Sequence, residues 1–361
     1  MTDTLTRTTA AKRTRRAVID CDIHNGIPAG ALKPFIPAAW REYEAEIGGR
    51  SPSGRLYPKG YSNAARQDSF PPNGGQPGSD LPFLREQLLD AWGIEFGVLN
   101  CLGGGGGVLN TRWGTALCQA VNDWQVAEWL DPEPRLRASI VVHPGDPEGA
   151  AREIARCAKD SRFVQVLLTV RTDEPLGKQR YWPMYRAAAE HGLPVGIHFG
   201  GPAPNPITPT GWPSYYLEDH SGMMLAFQAQ VASYVYEGVF QELPDLRVVL
   251  IEGGFAWVPP LAWRMDHYWR EFRAEMPWLK EPPSQLIRRH FKITTQPMDE
   301  PSDPKDFPTI LKQLGSDDML MFATDYPHWD FDSPDHALPI RLSEELERKI
   351  FSENARAFYR L

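Results

Sequence analysis

The chain has 361 residues, of which 42% are hydrophobic and 23% are charged, and its formal net charge is −8. This composition is ordinary for a globular protein that can bury a sizeable core. The acidic balance argues against a nucleic-acid partner, because such proteins usually carry a basic face. No run of ~18 uncharged apolar residues is present, so we expect no membrane span.

The N-terminus and the cysteines indicate the compartment. Arg13, Arg15 and Arg16 resemble a twin-arginine export signal, but no apolar stretch of the required length follows them. We therefore expect residues 1–16 to form a flexible basic leader. The four cysteines show no CxxC spacing, which is typical of reduced thiols in a cytoplasmic protein.

Eight short apolar runs rich in β-branched residues are spread along the chain, at residues 17–22, 95–100, 138–142, 164–168, 195–198, 246–251, 291–295 and 319–324. Segments that can carry helices lie between them, at residues 148–159, 182–191 and 219–243. Strands that alternate with helices pair in parallel through right-handed crossovers. We therefore predict a single (β/α)8 TIM barrel over residues 17–361, with an open doubly wound sheet as the alternative.

Two intervals are longer than ordinary connections. Residues 25–93 are rich in Gly, Pro, Ser and Asn and end in a helix-like segment at 82–92, and residues 199–218 contain five prolines. They follow the first and fifth predicted strands, at the end of a barrel where active sites lie. Loops of this length are typical of lids or binding loops. For residues 45–80, dimer contact or disorder is the alternative.

Four side chains that can bind metal fall at the C-terminal ends of predicted strands. Asp22 and His24 end the first strand, His198 ends the fifth and Asp325 ends the eighth. Because residues two apart in a strand point to the same face, Asp22 and His24 can aim together into the barrel mouth. Taken singly, each is more often a packed residue or a helix cap. Their common position favours one divalent ion, with Zn²⁺ first and Mn²⁺ or Fe²⁺ behind it.

Other side chains are candidates for substrate binding. Arg112 can meet a substrate carboxylate through a bidentate fork, with a surface salt bridge as the alternative. The aromatic residues Trp212, Tyr215, Tyr216 and Trp329 can form a wall for a planar substrate, with an ordinary core or interface role as the alternative.

Five consecutive glycines at residues 103–107 follow the second predicted strand. The run lacks the Lys-Ser/Thr ending of a phosphate-binding loop. We interpret it as a place where the backbone passes close to a substrate or to another loop.

The strand-end residues and their order along the chain resemble those of the amidohydrolase superfamily. The resemblance is to the branch that includes aminocarboxymuconate-semialdehyde decarboxylase and the dihydroxybenzoate decarboxylases. The resemblance spans about residues 17–360. Residues 243–254 are similar to the branch's sixth strand and its lead-in, and residues 351–355 to its C-terminal helix signature. Asn122, Pro132 and Arg135, followed by residues 146–147, are similar to its third unit.

The resemblance assigns roles to the predicted ligands. His198 matches the family's fifth-strand ligand, and Asp325 matches an Asp that binds metal, shuttles protons or does both. The first-strand pair is His-x-His or Glu-x-His in the family, whereas here it is Asp22 and His24. No Lys lies in residues 164–168, where other members carry a bridging carboxylated lysine. The resemblance therefore implies one metal ion.

Two sixth-strand positions depart from the branch. Glu252 stands where the branch has a His, and Phe255 stands where its decarboxylases have a Glu. A carboxylate beside a divalent cation stays ionised, and it can accept a proton or serve as a fifth ligand. His328 is then the remaining acid or base, with a structural role as the alternative, and His220 is a further candidate for this role or for substrate binding.

We therefore predict a metal-dependent hydrolase of a small organic acid, amide or lactone, with Asp325 or Glu252 taking a proton from the attacking water. Non-oxidative decarboxylation of an aromatic or enoic acid is the alternative that the branch resemblance supports directly. A catalytically silent barrel used for binding is the second alternative. The expected partners are a small-molecule substrate and, by resemblance, a second copy of the chain, to which residues 257–278 can contribute.

Overall fold

The computed structural model describes residues 16–47, 64–201, 206 and 208–361. Residues 1–15 of the predicted leader lie outside this range, as do parts of the two long loops, at residues 48–63, 202–205 and 207. Arg16, the last residue of the predicted leader, forms an ion pair with Glu347 at 3.0 Å.

Eight strands alternate with helices along the described chain. The strands are β1 Val18–Ile23, β2 Ile94–Leu99, β3 Leu136–Val141, β4 Phe163–Thr169, β5 Val195–His198, β6 Val248–Ile251, β7 Phe291–Thr294 and β8 Leu320–Met321. The α-helices are α1 Ala38–Ile47, α2 Leu81–Leu84, α3 Thr111–Gln125, α4 Pro147–Cys157, α5 Trp182–Glu190, α6 Tyr216–Ser221, α7 Met223–Tyr236, α8 Val239–Glu242, α9 Val258–Glu271, α10 Pro283–His290, α11 Phe307–Leu314, α12 Glu344–Arg348 and α13 Asn354–Tyr359. Helices α2, α3 and α12 continue directly into π-helical turns at Arg85–Asp90, Val126–Leu130 and Lys349–Glu353.

The strands form one parallel sheet in the order β1 to β8, with each strand paired to the next in the chain. The sheet closes between its first and last strands, because Cys21 N donates to Phe322 O at 3.0 Å and Asp325 N donates to Asp22 O at 3.1 Å. This arrangement confirms the predicted (β/α)8 barrel and rules out the open sheet.

The predicted eighth strand, residues 319–324, is much shorter in the structure. After Met321 the backbone N–H groups turn away from the ladder, because Ala323 N donates to the Thr295 hydroxyl at 3.3 Å and Thr324 N donates to the Asp20 carboxylate at 2.9 Å. The side chains of Thr295 and Asp20 therefore take the place of a neighbouring strand as hydrogen-bond acceptors, and the chain can turn at Asp325.

The predicted helical segment 219–243 is three helices, α6, α7 and α8, rather than one. The breaks fall at Gly222 and Gly238, and Gly238 has φ of 80°. A glycine adopts this left-handed backbone without a steric penalty, so the chain can turn there. The helix-like segment 82–92 is confirmed as α2 and the π-helical turn that follows it.

An apolar cluster joins the strands of the barrel to its C-terminal helix. Mainly valines, isoleucines and small residues from five of the strands form one cluster, together with Phe358 and Tyr359 of α13. Arg247, just before β6, donates to the backbone carbonyl of Phe358. The C-terminal helix therefore covers the end of the barrel opposite the strand C-termini.

The glycine run after β2 packs against a helix. A Cβ on Gly105 would lie 1.9 Å from the backbone oxygen of Gly114 on α3, so no larger residue fits. This contact agrees with the interpretation of a close backbone approach.

None of the helices in the described residues is long and apolar enough to cross a bilayer.

Candidate metal centre at the barrel mouth

The two predicted ligands of β1 lie together at the barrel mouth, as their spacing requires. Asp22 is fully buried and His24 is 8% exposed. His24 Nε2 lies 2.9 Å from Asp325 Oδ1 and 3.6 Å from Asp22 Oδ1. Strand pairing between β8 and β1 therefore brings a carboxylate from each side to the same imidazole.

His198 and Glu252 complete the other side of the cluster. His198 Nε2 lies 3.1 Å from Asp22 Oδ2 and 3.5 Å from Glu252 Oε2. Both residues are buried, at the ends of the neighbouring strands β5 and β6. Glu252 thus reaches the predicted ligands directly.

His328 lies on the Asp325 side of the cluster. Its Nδ1 is 2.8 Å from Asp325 Oδ1, and its ring centroid is 4.5 Å from that of His24. The side chain is 17% exposed, whereas that of Asp325 is fully buried. The structure therefore brings together all six residues predicted for the metal and for proton transfer.

The donor atoms fit a divalent cation. Two groups, each with ligand atoms within 4.8 Å of one another, share His24 and Glu252; Asp22 and His198 complete one, and Asp325 and His328 complete the other. Among the described residues, Asp325 Oδ2 is buried without accepting a hydrogen bond. Nitrogen and carboxylate oxygen donors at this spacing suit an ion such as Zn²⁺, Mn²⁺ or Fe²⁺.

Backbone carbonyls fix the imidazoles for this purpose. His24 Nδ1 lies 2.9 Å from the carbonyl oxygen of Asn100, and His198 Nδ1 lies 2.6 Å from that of Phe199. Because a carbonyl oxygen can only accept, each Nδ1 carries the proton and Nε2 keeps its lone pair in the neutral ring. Both histidines therefore offer Nε2 to an ion between the strands.

Electrostatics at the mouth favour positive charge. Burial alone would lower the pKa of His24, but the nearby carboxylates of Asp22 and Asp325 raise it to about 9. Burial would raise the pKa of Asp325, but His328 and His24 hold it below its usual range. Burial raises the pKa of Asp20, behind the cluster, to about 7. The carboxylates that raise the pKa of His24 would also stabilise a cation placed among them.

The two acidic residues that follow β6 and β8 share an uncommon backbone. Glu252 has φ of 61° and Asp325 has φ of 60°. A non-glycine residue in this left-handed region costs of order 1–3 kcal/mol and is found most often at functional sites. Here the conformation turns both side chains toward the ligand cluster.

His220 and Trp329 form an aromatic group beside the mouth. The ring centroids of Trp329 and Tyr216 each lie 5.6 Å from that of His220. Trp329 Nε1 donates to Tyr216 OH at 3.0 Å, and His220 Nε2 lies 3.3 Å from Asp330 Oδ2. Burial raises the pKa of Tyr216 to about 12, so its hydroxyl stays protonated.

The other predicted substrate-binding residues lie on α3 and in the loop that leads into α6. Arg112 is exposed near the start of α3, and Tyr215 is 74% exposed before α6. Trp212 is half-buried in the loop that precedes them. Their proposed roles in substrate binding stay predictions.

Sequence reasoning missed several polar residues of the site. Asn100, at the end of β2, bonds to both β1 ligands. Asp330 contacts His220 and accepts from Gln296 Nε2 at 2.9 Å. The only sequence signal for them is a polar residue directly after a strand or near Asp325, which by itself does not separate a site residue from a turn.

The first test of this centre is its metal content. We expect wild-type protein to retain about one equivalent of Mn²⁺ or Zn²⁺ after loading and desalting, measured by inductively coupled plasma mass spectrometry. The His198→Ala variant should lose it, because one nitrogen ligand is removed.

The matched control is His290→Ala, which removes an equally buried imidazole that stacks on Phe240 away from the mouth. It should keep the metal. Equal metal content in both variants would contradict the assignment of His198.

Comparison with known proteins identifies the family of this chain. A family model described as amidohydrolase matches residues 19–361. A γ-resorcylate decarboxylase of Polaromonas sp. (strain JS666 / ATCC BAA-500) is 26% identical over 307 residues, which cover 78% of this chain and 88% of that protein.

Solved structures agree in fold. An amidohydrolase (map2389c) from Mycobacterium avium subsp. paratuberculosis K-10 superposes with a TM-score of 0.73 at 20% identity, covering 95% of this chain and 99% of that one. A dihydroxybenzoic acid decarboxylase from Polaromonas sp. JS666, with bound manganese and the inhibitor 2-nitroresorcinol, gives a TM-score of 0.65 at 20% identity, covering 96% and 97%. Since the family model covers nearly the whole barrel, the chain belongs to the amidohydrolase family.

Proposed function

We propose that this protein is a metal-dependent carboxy-lyase that removes carbon dioxide from an aromatic hydroxy acid. The observation that carries the proposal is the buried cluster of Asp22, His24, His198, Glu252 and Asp325 at the mouth of a barrel related to decarboxylases. The comparisons therefore support the decarboxylase alternative better than the hydrolase that we first expected from the sequence.

One divalent ion would be held by His24, His198, Asp22 and Asp325, with Glu252 close enough to join them. Manganese is the first ion to test because a related decarboxylase binds it, and the nitrogen and oxygen donors also accept zinc or iron. When bound, the ion supplies positive charge that orients substrate oxygens and stabilises negative charge on them.

The side chains supply the proton that decarboxylation needs. A proton adds to the ring carbon that carries the carboxylate, the carbon–carbon bond breaks, its electron pair returns to the ring, and carbon dioxide leaves. We assign proton delivery to the Asp325 and His328 pair, which are 2.8 Å apart. In this assignment His328 transfers the proton, which in the branch is the role of a histidine at the position of Glu252.

Substitution of His328 tests this assignment. The His328→Gln variant should retain its metal and lose about 10²-fold or more in kcat toward 2,6-dihydroxybenzoate or a related hydroxybenzoate, because general acid catalysis contributes 10²–10⁴-fold. Carbon dioxide release is the assay. His336→Gln, at an exposed histidine of the loop before α12, should leave kcat unchanged. An unaltered kcat in His328→Gln would overturn the assignment.

Hydrolysis is kept as the second candidate because Glu252 and Phe255 replace the branch's His and Glu. The isotopic content of the product separates the two reactions. Decarboxylation in deuterated water puts one deuterium on the product ring carbon, whereas hydrolysis in ¹⁸O-labelled water puts ¹⁸O into the product.

We propose that Trp329, Tyr216 and His220 form one wall of the substrate site. The ring centroids of Tyr216 and Trp329 each lie 5.6 Å from that of His220, and Trp329 directly follows His328 of the metal cluster in the chain. Trp329 is 49% exposed, so part of its ring is available to a planar substrate.

Truncation of this wall should weaken substrate binding and leave the metal in place. We expect Trp329→Ala to raise KM about 2- to 12-fold, because an aromatic stacking contact contributes ~0.5–1.5 kcal/mol. Trp278→Ala is the control, since Trp278 is 44% exposed and donates its indole N–H to the Tyr236 carbonyl, but lies away from the mouth. Equal KM values for the two variants would count against the wall.

We also propose a cytoplasmic homodimer. All four cysteines are free and buried, which suits a reducing compartment. Trp263 and Phe272, within the segment 257–278, are 55% and 59% exposed, and exposed aromatic side chains are common at protein interfaces. Sedimentation velocity should give the mass of two chains, and a single-chain mass at micromolar concentration would refute the dimer.

A further inference from the structure

Asn100 lies directly after β2 and is fully buried beside the two β1 ligands. Its Nδ2 donates to Asp22 Oδ1 at 2.8 Å and to the Cys21 carbonyl at 3.1 Å. Its backbone carbonyl accepts from His24 Nδ1 at 2.9 Å, and its backbone N–H donates to Ile23 O at 2.8 Å. One residue therefore contacts both ligands, and it does so through different groups.

Polar side chains inside the barrel fix the direction of the Asn100 amide. Its Oδ1 accepts from Ser139 Oγ at 2.6 Å and from Gln165 Nε2 at 2.8 Å, and Gln165 Oε1 accepts from Tyr359 OH at 3.0 Å. Both amide protons and both oxygen lone pairs are used. A rotation by 180° would turn the amide oxygen toward the Asp22 carboxylate and the NH₂ toward the NH₂ of Gln165, so the observed orientation is strongly preferred.

This orientation decides how Asp22 meets the ion. Asp22 Oδ1 accepts the Asn100 amide, while Oδ2 lies 3.1 Å from His198 Nε2. An aspartate can rotate about its terminal bond, and a hydrogen bond to one oxygen stops that rotation. The Asn100 carbonyl at the same time fixes the His24 proton on Nδ1.

We propose that Asn100 is the positioning residue of the metal centre, which holds the Asp22 carboxylate and the His24 ring in the geometry that binds the ion. The interior chain of Ser139, Gln165 and Tyr359 anchors it from the far side of the barrel. This inference rests on the metal site of the proposed function and is independent of the reaction catalysed there.

The test measures metal affinity rather than turnover. In Asn100→Leu, the side chain has a similar volume but neither donates nor accepts. We expect the Kd for Mn²⁺ and Zn²⁺, measured by competition with a chelating dye, to rise about 10- to 100-fold, the usual cost of losing a group that orients a ligand.

The matched control is Asn122→Leu, because Asn122 is also a buried asparagine whose amide binds a backbone carbonyl and a carboxylate, those of Val141 and Glu153. Both variants should lower the unfolding temperature of the metal-free protein. Only Asn100→Leu should weaken metal binding. Affinity that is unchanged in Asn100→Leu, or lowered as much in Asn122→Leu, overturns the proposal.

A milder variant covers the case in which Asn100→Leu does not fold. Gln165→Leu removes one donor to Asn100 Oδ1 and leaves Asn100 in place. We expect it to raise the metal Kd several-fold, whereas an unchanged Kd contradicts the anchoring role. Wild-type protein that binds neither ion would overturn the inference together with the metal site, whereas a protein that binds metal but decarboxylates nothing would refute the proposed reaction alone.

Discussion

Three carboxylates are buried around the His24 imidazole at the barrel mouth, and this crowding is the constraint on which the rest of the site depends. Asp22 and Asp325 are fully buried, and Glu252 is 4% exposed. Buried charge of one sign is costly unless cations or protons neutralise it. A protonated His24, whose pKa Asp22 and Asp325 raise to about 9, meets part of this requirement. A divalent cation at the same place would meet it more fully.

The barrel makes this crowding possible because strand C-termini converge on one rim. β1, β5 and β6 each contribute a donor at or next to their last residue, and the segment after β8 contributes Asp325. Asp325 and Glu252 reach inward from left-handed backbone, and the short β8 leaves the chain after Met321 free to adopt it. The apolar cluster that five of the strands form with the C-terminal helix α13 supports this rim.

The barrel, and the meeting of the six predicted side chains at its mouth, could be predicted from the sequence, whereas their roles as metal ligands stay predictions. Each strand is a run of β-branched residues, and Asp22 and His24 show by their spacing alone that they share a face. The length of β8 was not predictable, since its N–H groups are taken by Asp20 and Thr295 from distant parts of the chain.

Asn100 shows the same limit. It lies 78 residues from Asp22, and only strand pairing brings the two together. The prediction of one long helix over residues 219–243 was wrong for a simpler reason. The helical spacing of its apolar residues hid the breaks that occur at the glycines. Glu252 and Phe255 alone favoured hydrolysis, whereas the similarity to a γ-resorcylate decarboxylase favours the decarboxylation that we propose.

The most direct measurement is the position of the metal in a crystal of the manganese-loaded protein, from anomalous scattering at the manganese edge. We predict a single peak within ~2.5 Å of Nε2 of His24 and His198 and of a carboxylate oxygen from each of Asp22 and Asp325. A peak elsewhere, or no peak in protein that retains manganese in solution, would contradict a metal centre formed by these strand ends.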